Sequence, residues 1–178
     1  ADIATYLSET DQKMKELPYI YRRLFDFHSL ADKQFFEPAQ ESTITFNRAY
    51  EQWQNKFPTN FAIIGEKGSG KSSFLSLMVD AELDDEQVKI VEFTKTIWEE
   101  EQLVNKIAGV LEVGSPQTIE ELVASINDSN KRKVVVLESI QNCFVRNING
   151  FKAIEKLSYL ISETRSNIFW MVSCSRYA

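Results

Sequence analysis

Residues 65–72 read Gly-Glu-Lys-Gly-Ser-Gly-Lys-Ser, and no other stretch restricts the fold of this chain so strongly. The pattern G-x-x-x-x-G-K-[ST] has meaning only where a strand runs into a loop and the loop into a helix. Both flanks meet that condition. Phe61, Ala62, Ile63 and Ile64 form a short continuous apolar run that reads as a buried strand, and residues 72–80 (SSFLSLMVD) read as a helix. Gly65, Gly68 and Gly70 let the backbone curl with its N–H groups pointing inward, where side chains would obstruct it. Together with the N-terminus of the following helix, such a loop cradles the oxygens of an anion. Lys71 brings an ammonium group to that cradle and Ser72 a hydroxyl. The candidate binding residues are therefore Gly65, Glu66, Lys67, Gly68, Ser69, Gly70, Lys71, Ser72 and Ser73. The chemistry points to the phosphates of a nucleotide, with Lys71 between the β- and γ-phosphates and Ser72 directed at Mg²⁺.

The rest of the chain extends this unit. Residues 89–95 (KIVEFTK), 133–139 (KVVVLES) and 167–175 (NIFWMVSCS) read as three further strands. Leu103, Ile107, Val110 and Leu111 mark one amphipathic helix, closed by Gly114, Ser115 and Pro116. Ile119, Leu122, Val123 and Ile126 mark a second, capped by Thr118. Phe151, Ile154, Leu157 and Ile161 mark a third. Strands alternating with helices imply an α/β fold with a parallel sheet covered on both faces. Ahead of this core the chain reads as helical: a weak pattern over 2–16, broken at Leu17 and Pro18, then Ile20, Leu24 and Phe27 on one face. Ser42 or Thr43 caps a helix that runs to about Lys56, with Phe46, Tyr50, Trp53 and Phe57 as its apolar face. The expected division is a helical segment, 1–58, packed on a nucleotide-binding core, 59–178. The chain starts with Ala1 and ends soon after the fourth strand, so a fragment of a longer protein is expected.

Composition narrows the function. With 43% hydrophobic residues among 178 the chain can fill a core. Its net charge of −6 makes it a poor general binder of nucleic acid or of anionic membrane. No apolar run reaches the roughly 20 residues needed to span a bilayer, and the polar N-terminus is no signal peptide. Cys143 and Cys174 have no metal-type spacing and read as reduced thiols of a cytoplasmic protein.

The third predicted strand supplies an acid. Four apolar residues, 134–137, lead into Glu138, and a carboxylate at the C-terminal end of a buried strand faces the crevice where open α/β sheets bind ligands. Ser72 and Glu138 are thus the expected Mg²⁺ residues. At this point the chain resembles a family. Residues 65–72 look like a Walker A motif and residues 134–139 like a Walker B motif, and their spacing is similar to that of the AAA+ and STAND-type ATPases over roughly residues 35–178. The resemblance implies a P-loop NTPase core of strand order 2-3-4-1, in preference to 2-3-1-4, without the family's fifth strand and helical lid. It implies Mg-ATP as cofactor, a homo-oligomer or other domains of the same protein as partners, and Ser173 or Ser175 at the end of the fourth strand as a sensor of the γ-phosphate. It casts Lys71, Glu138 and Ser173 as the catalytic set. Phe35 and Phe36 correspond to the segment near the adenine, although the family's Gly-Arg pair is replaced by Glu37, Pro38 and Ala39. The second acid of Walker B is replaced by Ser139, whose hydroxyl is no base near neutral pH. Slow hydrolysis is expected for that reason.

The remaining charged clusters have plainer readings. Glu99, Glu100 and Glu101 follow the second strand on the edge where an assisting acid could lie, but a helix N-terminus favours acids in any case. Arg146 and Arg165 are arginine-finger candidates by elimination. Lys131, Arg132 and Lys133 read as a solubilising rim rather than a nucleic-acid patch, and His28 as structural. Asn105 and Lys106 lack the Asp of a guanine-reading motif, since Ala108 stands in its place. Two other functions fit the phosphate loop: a small-molecule P-loop kinase, for which no arginine-rich lid is visible, and a nucleotide-binding module that does not hydrolyse.

Overall fold

The computed structural model describes residues 37–83, 88–97, 99–129, 131–143 and 150–176. Helix α1 (Gln40–Gln54) leads into β1 (Phe61–Gly65), α2 (Lys71–Glu82), β2 (Val88–Glu92), α3 (Glu100–Leu111), α4 (Ile119–Asp128), β3 (Lys133–Glu138), a 3-10 helix (Ile140–Cys143), α5 (Lys152–Thr164) and β4 (Ile168–Ser175). The four strands are all parallel and lie in the order β1-β4-β3-β2. This is the expected 2-3-4-1 sheet, and it excludes 2-3-1-4.

The apolar strands are explained by a core on each face. Successive residues of β3 point to opposite sides. Val135 and Leu137, with Trp170 and Val172 of β4, join the core under α3, α4 and α5. Val134 and Val136, with Phe169 and Met171, join the core under α1 and α2. Each fully buried Val or Leu contributes about 1.5–3 kcal/mol, so both central strands are fixed in register from two sides. Thr118 caps α4 as expected, its hydroxyl accepting from the Glu121 N–H at 3.3 Å.

Three helix details differ from the sequence reading. Helix α1 begins at Gln40 behind an extended Ala39. Thr43 therefore lies inside the helix, with its hydroxyl on the Ala39 carbonyl at 3.3 Å, and neither Ser42 nor Thr43 is the cap. Phe57 lies beyond the helix and is 66% exposed, leaving Phe46, Ala49 and Trp53 as the buried face. In α5 the buried face is Ala153, Leu157, Leu160 and Thr164. Phe151 precedes that helix and is exposed, while Ile154 and Ile161 are only partly buried. A small Ala and a hydroxyl that donates to the Leu160 carbonyl at 2.6 Å sit deeper than the isoleucines, a choice made by packing and not by hydropathy.

Helix α1 belongs to the core of the sheet. Phe46 meets Phe61 edge-on at 5.4 Å and Phe169 at 6.1 Å, and Trp53 lies 5.6 Å from Phe169. Such ring pairs add about 0.5–1.5 kcal/mol each beyond area burial. The readings made on 2–16, on Ile20, Leu24 and Phe27, on His28 and on Phe35 and Phe36 lie outside the described residues.

Candidate phosphate-binding site

Strand β1 delivers the chain to the C-terminal edge of the sheet at Gly65, and α2 leaves from Gly70. Between them Gly68 and Gly70 take φ of 80° and 81°, left-handed values that favour glycine. Gly70 caps α2 without a side chain, a helix start of the kind that can receive an anion. The helix ladder starts with the Phe74 N–H on the Gly70 carbonyl at 2.8 Å. Glu66, Lys67, Gly68 and Ser69 are exposed along the loop, and Ser72 and Ser73 are half-buried in the first helical turn.

Lys71 is half-buried as well. Its ammonium folds back onto the loop, donating to the carbonyls of Gly65 at 3.0 Å and Glu66 at 2.6 Å. An ammonium has three donors and no acceptor, and the two loop carbonyls each take one of them.

The two predicted metal residues meet. The Ser72 hydroxyl donates to Glu138 Oε2 at 2.8 Å across 66 positions of sequence. Strand β3 ends at Glu138, and Ser139 then turns into the left-handed region at φ 61°. The Ser139 N–H donates to Ser173 Oγ at 3.3 Å. Ser173 is a polar residue only 3% exposed, held in the last part of β4. At the end of β4, Ser175 pairs with Gly65, and the Arg176 N–H donates to the Gly65 carbonyl at 3.1 Å. Loop, Glu138, Ser139 and Ser173 therefore share one edge of the sheet, as the strand order requires.

No protein-family profile and no curated protein matches the sequence. Among solved structures, a Walker-type ATPase of Pyrococcus abyssi superposes with a TM-score of 0.50 at 12% identity, over 84% of this chain and 48% of that one. The fold is that of a P-loop NTPase core. Two further structures align less closely: Drosophila ORC bound to AT-rich DNA and Cdc6, at TM-score 0.47 and 16% identity, and domain III of the Thermotoga maritima replication initiation protein DnaA, at 0.41 and 15%. Each of these covers 80% of this chain and is itself covered to 55%. The chain thus spans about half the length of the structures it matches.

Within this P-loop core, several residues singled out in the sequence lie elsewhere. Glu100 accepts from the Ile119 N–H at 3.0 Å and pairs with Lys156 at 3.3 Å, which ties α3 to α4 and α5. Arg165 follows α5 just before β4 begins, at the end of the sheet opposite the loop; Arg146 lies outside the described residues. Lys106 belongs to the middle of α3 with its ammonium 5.8 Å from the Phe93 ring. Arg132 is no solubilising group. It lies 3.7 Å over the Trp53 ring and donates to the Trp53 and Gln54 carbonyls at the C-terminus of α1. Lys133 donates to the Leu111 carbonyl at 2.8 Å. Burial raises the Cys174 thiol above its ordinary range, and the Lys71 ammonium opposes that rise.

Two residues at the site escaped the sequence reading. Arg176 reaches it because β4 is the neighbour of β1, and its only signal was a cation directly after a strand with a polar end. Gln141 carried no signal by itself: its Oε1 accepts from the Ser175 N–H at 3.1 Å, a contact set by the turn after β3.

Proposed function

We propose that the chain is the Mg-ATP-binding domain of an AAA+/STAND-like ATPase or ATP-driven switch that hydrolyses slowly by itself. The observation that carries this reading is the Ser72–Glu138 hydrogen bond of 2.8 Å at the start of the helix that follows the glycine loop. A hydroxyl and a carboxylate are hard oxygen donors of the kind Mg²⁺ takes together with phosphate oxygens. Ser72 and Glu138 would hold the ion, which when bound offsets the negative charge of the phosphates. The loop N–H groups bind the phosphate oxygens, and Lys71 exchanges its two carbonyl acceptors for them. Ser173, anchored to Ser139, reports on the terminal phosphate. The free thiols Cys143 and Cys174 suit a reducing cytoplasm, and no helix of the described residues is long and apolar enough to cross a membrane. Assembly with further copies or with other domains is part of the same reading. The net charge of −6 gives no strong signal for nucleic acid as a partner.

Calorimetric titration with Mg-ATP tests the assignment. Lys71→Ala is expected to weaken binding at least about a hundredfold, since it removes a charge-assisted contact worth several kcal/mol inside a cradle that excludes water. Its thermal midpoint should stay near that of the parent. Equal affinity in parent and variant would overturn the site. One observation favours a second reading, a module that binds nucleotide without hydrolysing it: Ser139 stands where a general base is needed. A single-turnover assay separates the two, with any first-order phosphate release supporting the ATPase.

A further inference from the structure

The 3-10 helix Ile140–Cys143 lies across the C-terminal edge of the sheet and is tied to a strand on each side of β3. On the β2 side, the Asn142 side-chain amide donates to the Phe93 carbonyl at 2.6 Å, and the Asn142 carbonyl accepts from the Ile97 N–H at 2.8 Å. On the β4 side, Gln141 Oε1 accepts from the Ser175 N–H at 3.1 Å. A backbone N–H can only donate, so the orientation of the Gln141 amide is fixed by its partner. The next peptide of β4 continues the connection. The Arg176 N–H reaches the Gly65 carbonyl at 3.1 Å, and the same carbonyl accepts from Lys71 at 3.0 Å. From Gln141 to Lys71 the path is continuous: side chain to the end of β4, end of β4 to the first glycine of the loop, that glycine to the ammonium.

Beyond the β1 ladder, which pairs Cys174 with Ile64 and Ser175 with Gly65, little packing holds the last residues of β4. Cys174 and Ser175 are only partly buried, and neither belongs to an apolar core. Ser173, two residues before the Gln141 contact, is the β4 residue whose hydroxyl faces Ser139. A half-buried hydrogen bond from a side chain fixed on a short helix can set the height of this strand end against the loop.

We infer that Gln141 is a positioning residue of the phosphate site: by holding the end of β4 it sets the distance between Ser173 and the loop that carries Lys71, and thereby the preference for a triphosphate over a diphosphate. This inference rests on the nucleotide reading above.

The test compares Mg²⁺ with a non-hydrolysable ATP analogue against Mg²⁺ with ADP, by calorimetry, in four proteins. Gln141→Met keeps length and volume but removes the acceptor, Gln141→Ala removes both in case Met packs badly, and Gln141→Glu keeps an acceptor oxygen. The single contact is worth about tenfold. Gln141→Met and Gln141→Ala should therefore lose about tenfold in analogue affinity and about twofold or less in ADP affinity, and Gln141→Glu should recover most of the loss. Unchanged ratios of analogue to ADP affinity in both acceptor-less variants would overturn the inference. An equal loss for both nucleotides, with a lowered thermal midpoint, would also overturn it by showing a purely structural role. A parent protein that binds neither nucleotide refutes the nucleotide reading and this inference with it; a parent that binds both, beside variants with unchanged ratios, refutes the inference alone.

Discussion

Ser139 shows how one residue can limit a site. It occupies the position after Glu138, and its backbone has left the strand for a φ of 61°. A non-glycine residue in that region costs about 1–2 kcal/mol, here offset in part by the hydrogen bond from its N–H to Ser173. Its hydroxyl cannot take a proton from water near neutral pH, so turnover well below the roughly 10 per second of a typical enzyme is expected. Ser139→Glu supplies a base at the same position and should raise the single-turnover rate about tenfold or more, general-base catalysis being worth 10²–10⁴ when well aimed. An unchanged rate would show that side chains at 139 do not address the attacking water. Cys143 makes a different residue-scale prediction. It is fully buried, and desolvation pushes its thiol from an ordinary 9.0 up to about 12. Between those values the folded protein retains a proton that the unfolded chain has released. This contribution is complete below about pH 9 and is lost as pH rises toward about 12, at up to roughly 1.4 kcal/mol per unit. Denaturant titrations between about pH 9.5 and 11 should show a shallower decline in Cys143→Ala than in the parent, whatever the variant's absolute stability.

Among the elements, α1 is the one whose attachment is least obvious from its composition. Its face carries Phe46 and Trp53 into an aromatic cluster with Phe61, Phe74 and Phe169. Its C-terminus is closed by Arg132, from the segment before β3, stacked on Trp53 and donating to two terminal carbonyls. A cation there also meets the negative end of the helix dipole. Arg132→Ala should lower unfolding free energy by about 2 kcal/mol, read from chemical denaturation. Arg132→Lys should recover less than half of that, because an ammonium lacks the planar fork that serves ring and carbonyls together. Full recovery by lysine would mean that only the charge matters.

For the molecule as a whole, the order β1-β4-β3-β2 leaves β1 and β2 as the two outer strands. Their outward residues differ from those of β3 and β4, which are buried along nearly their full length. Ile64 is 68% exposed and Ile90 58%, and an apolar edge is a template for pairing with another chain. Ile64→Thr keeps a β-branched residue at the edge. It should leave the thermal midpoint within about 2 °C of the parent, since exposed positions contribute within about 0.5 kcal/mol. It should also raise the monomer fraction in size-exclusion chromatography at high concentration. A clear loss of stability would show that Ile64 is covered in solution.

The sequence by itself determined the strand–loop–helix of the phosphate loop, because glycine, lysine and serine at those spacings leave few alternatives. It also determined four strands, two of them, β3 and β4, through apolar runs too continuous for one-sided packing, and a carboxylate at the end of the third. Hydrophobic period alone could not decide which residues of α5 sink deepest, where Phe57 ends up, or that Arg132 closes a helix begun far earlier in the chain, since each depends on what stands opposite. Nor could it bring Ser72 to Glu138, or Gln141 to Ser175. Those contacts exist because β4 inserts between β1 and β3, and strand order is settled by packing over the whole sheet, where no single segment carries the information.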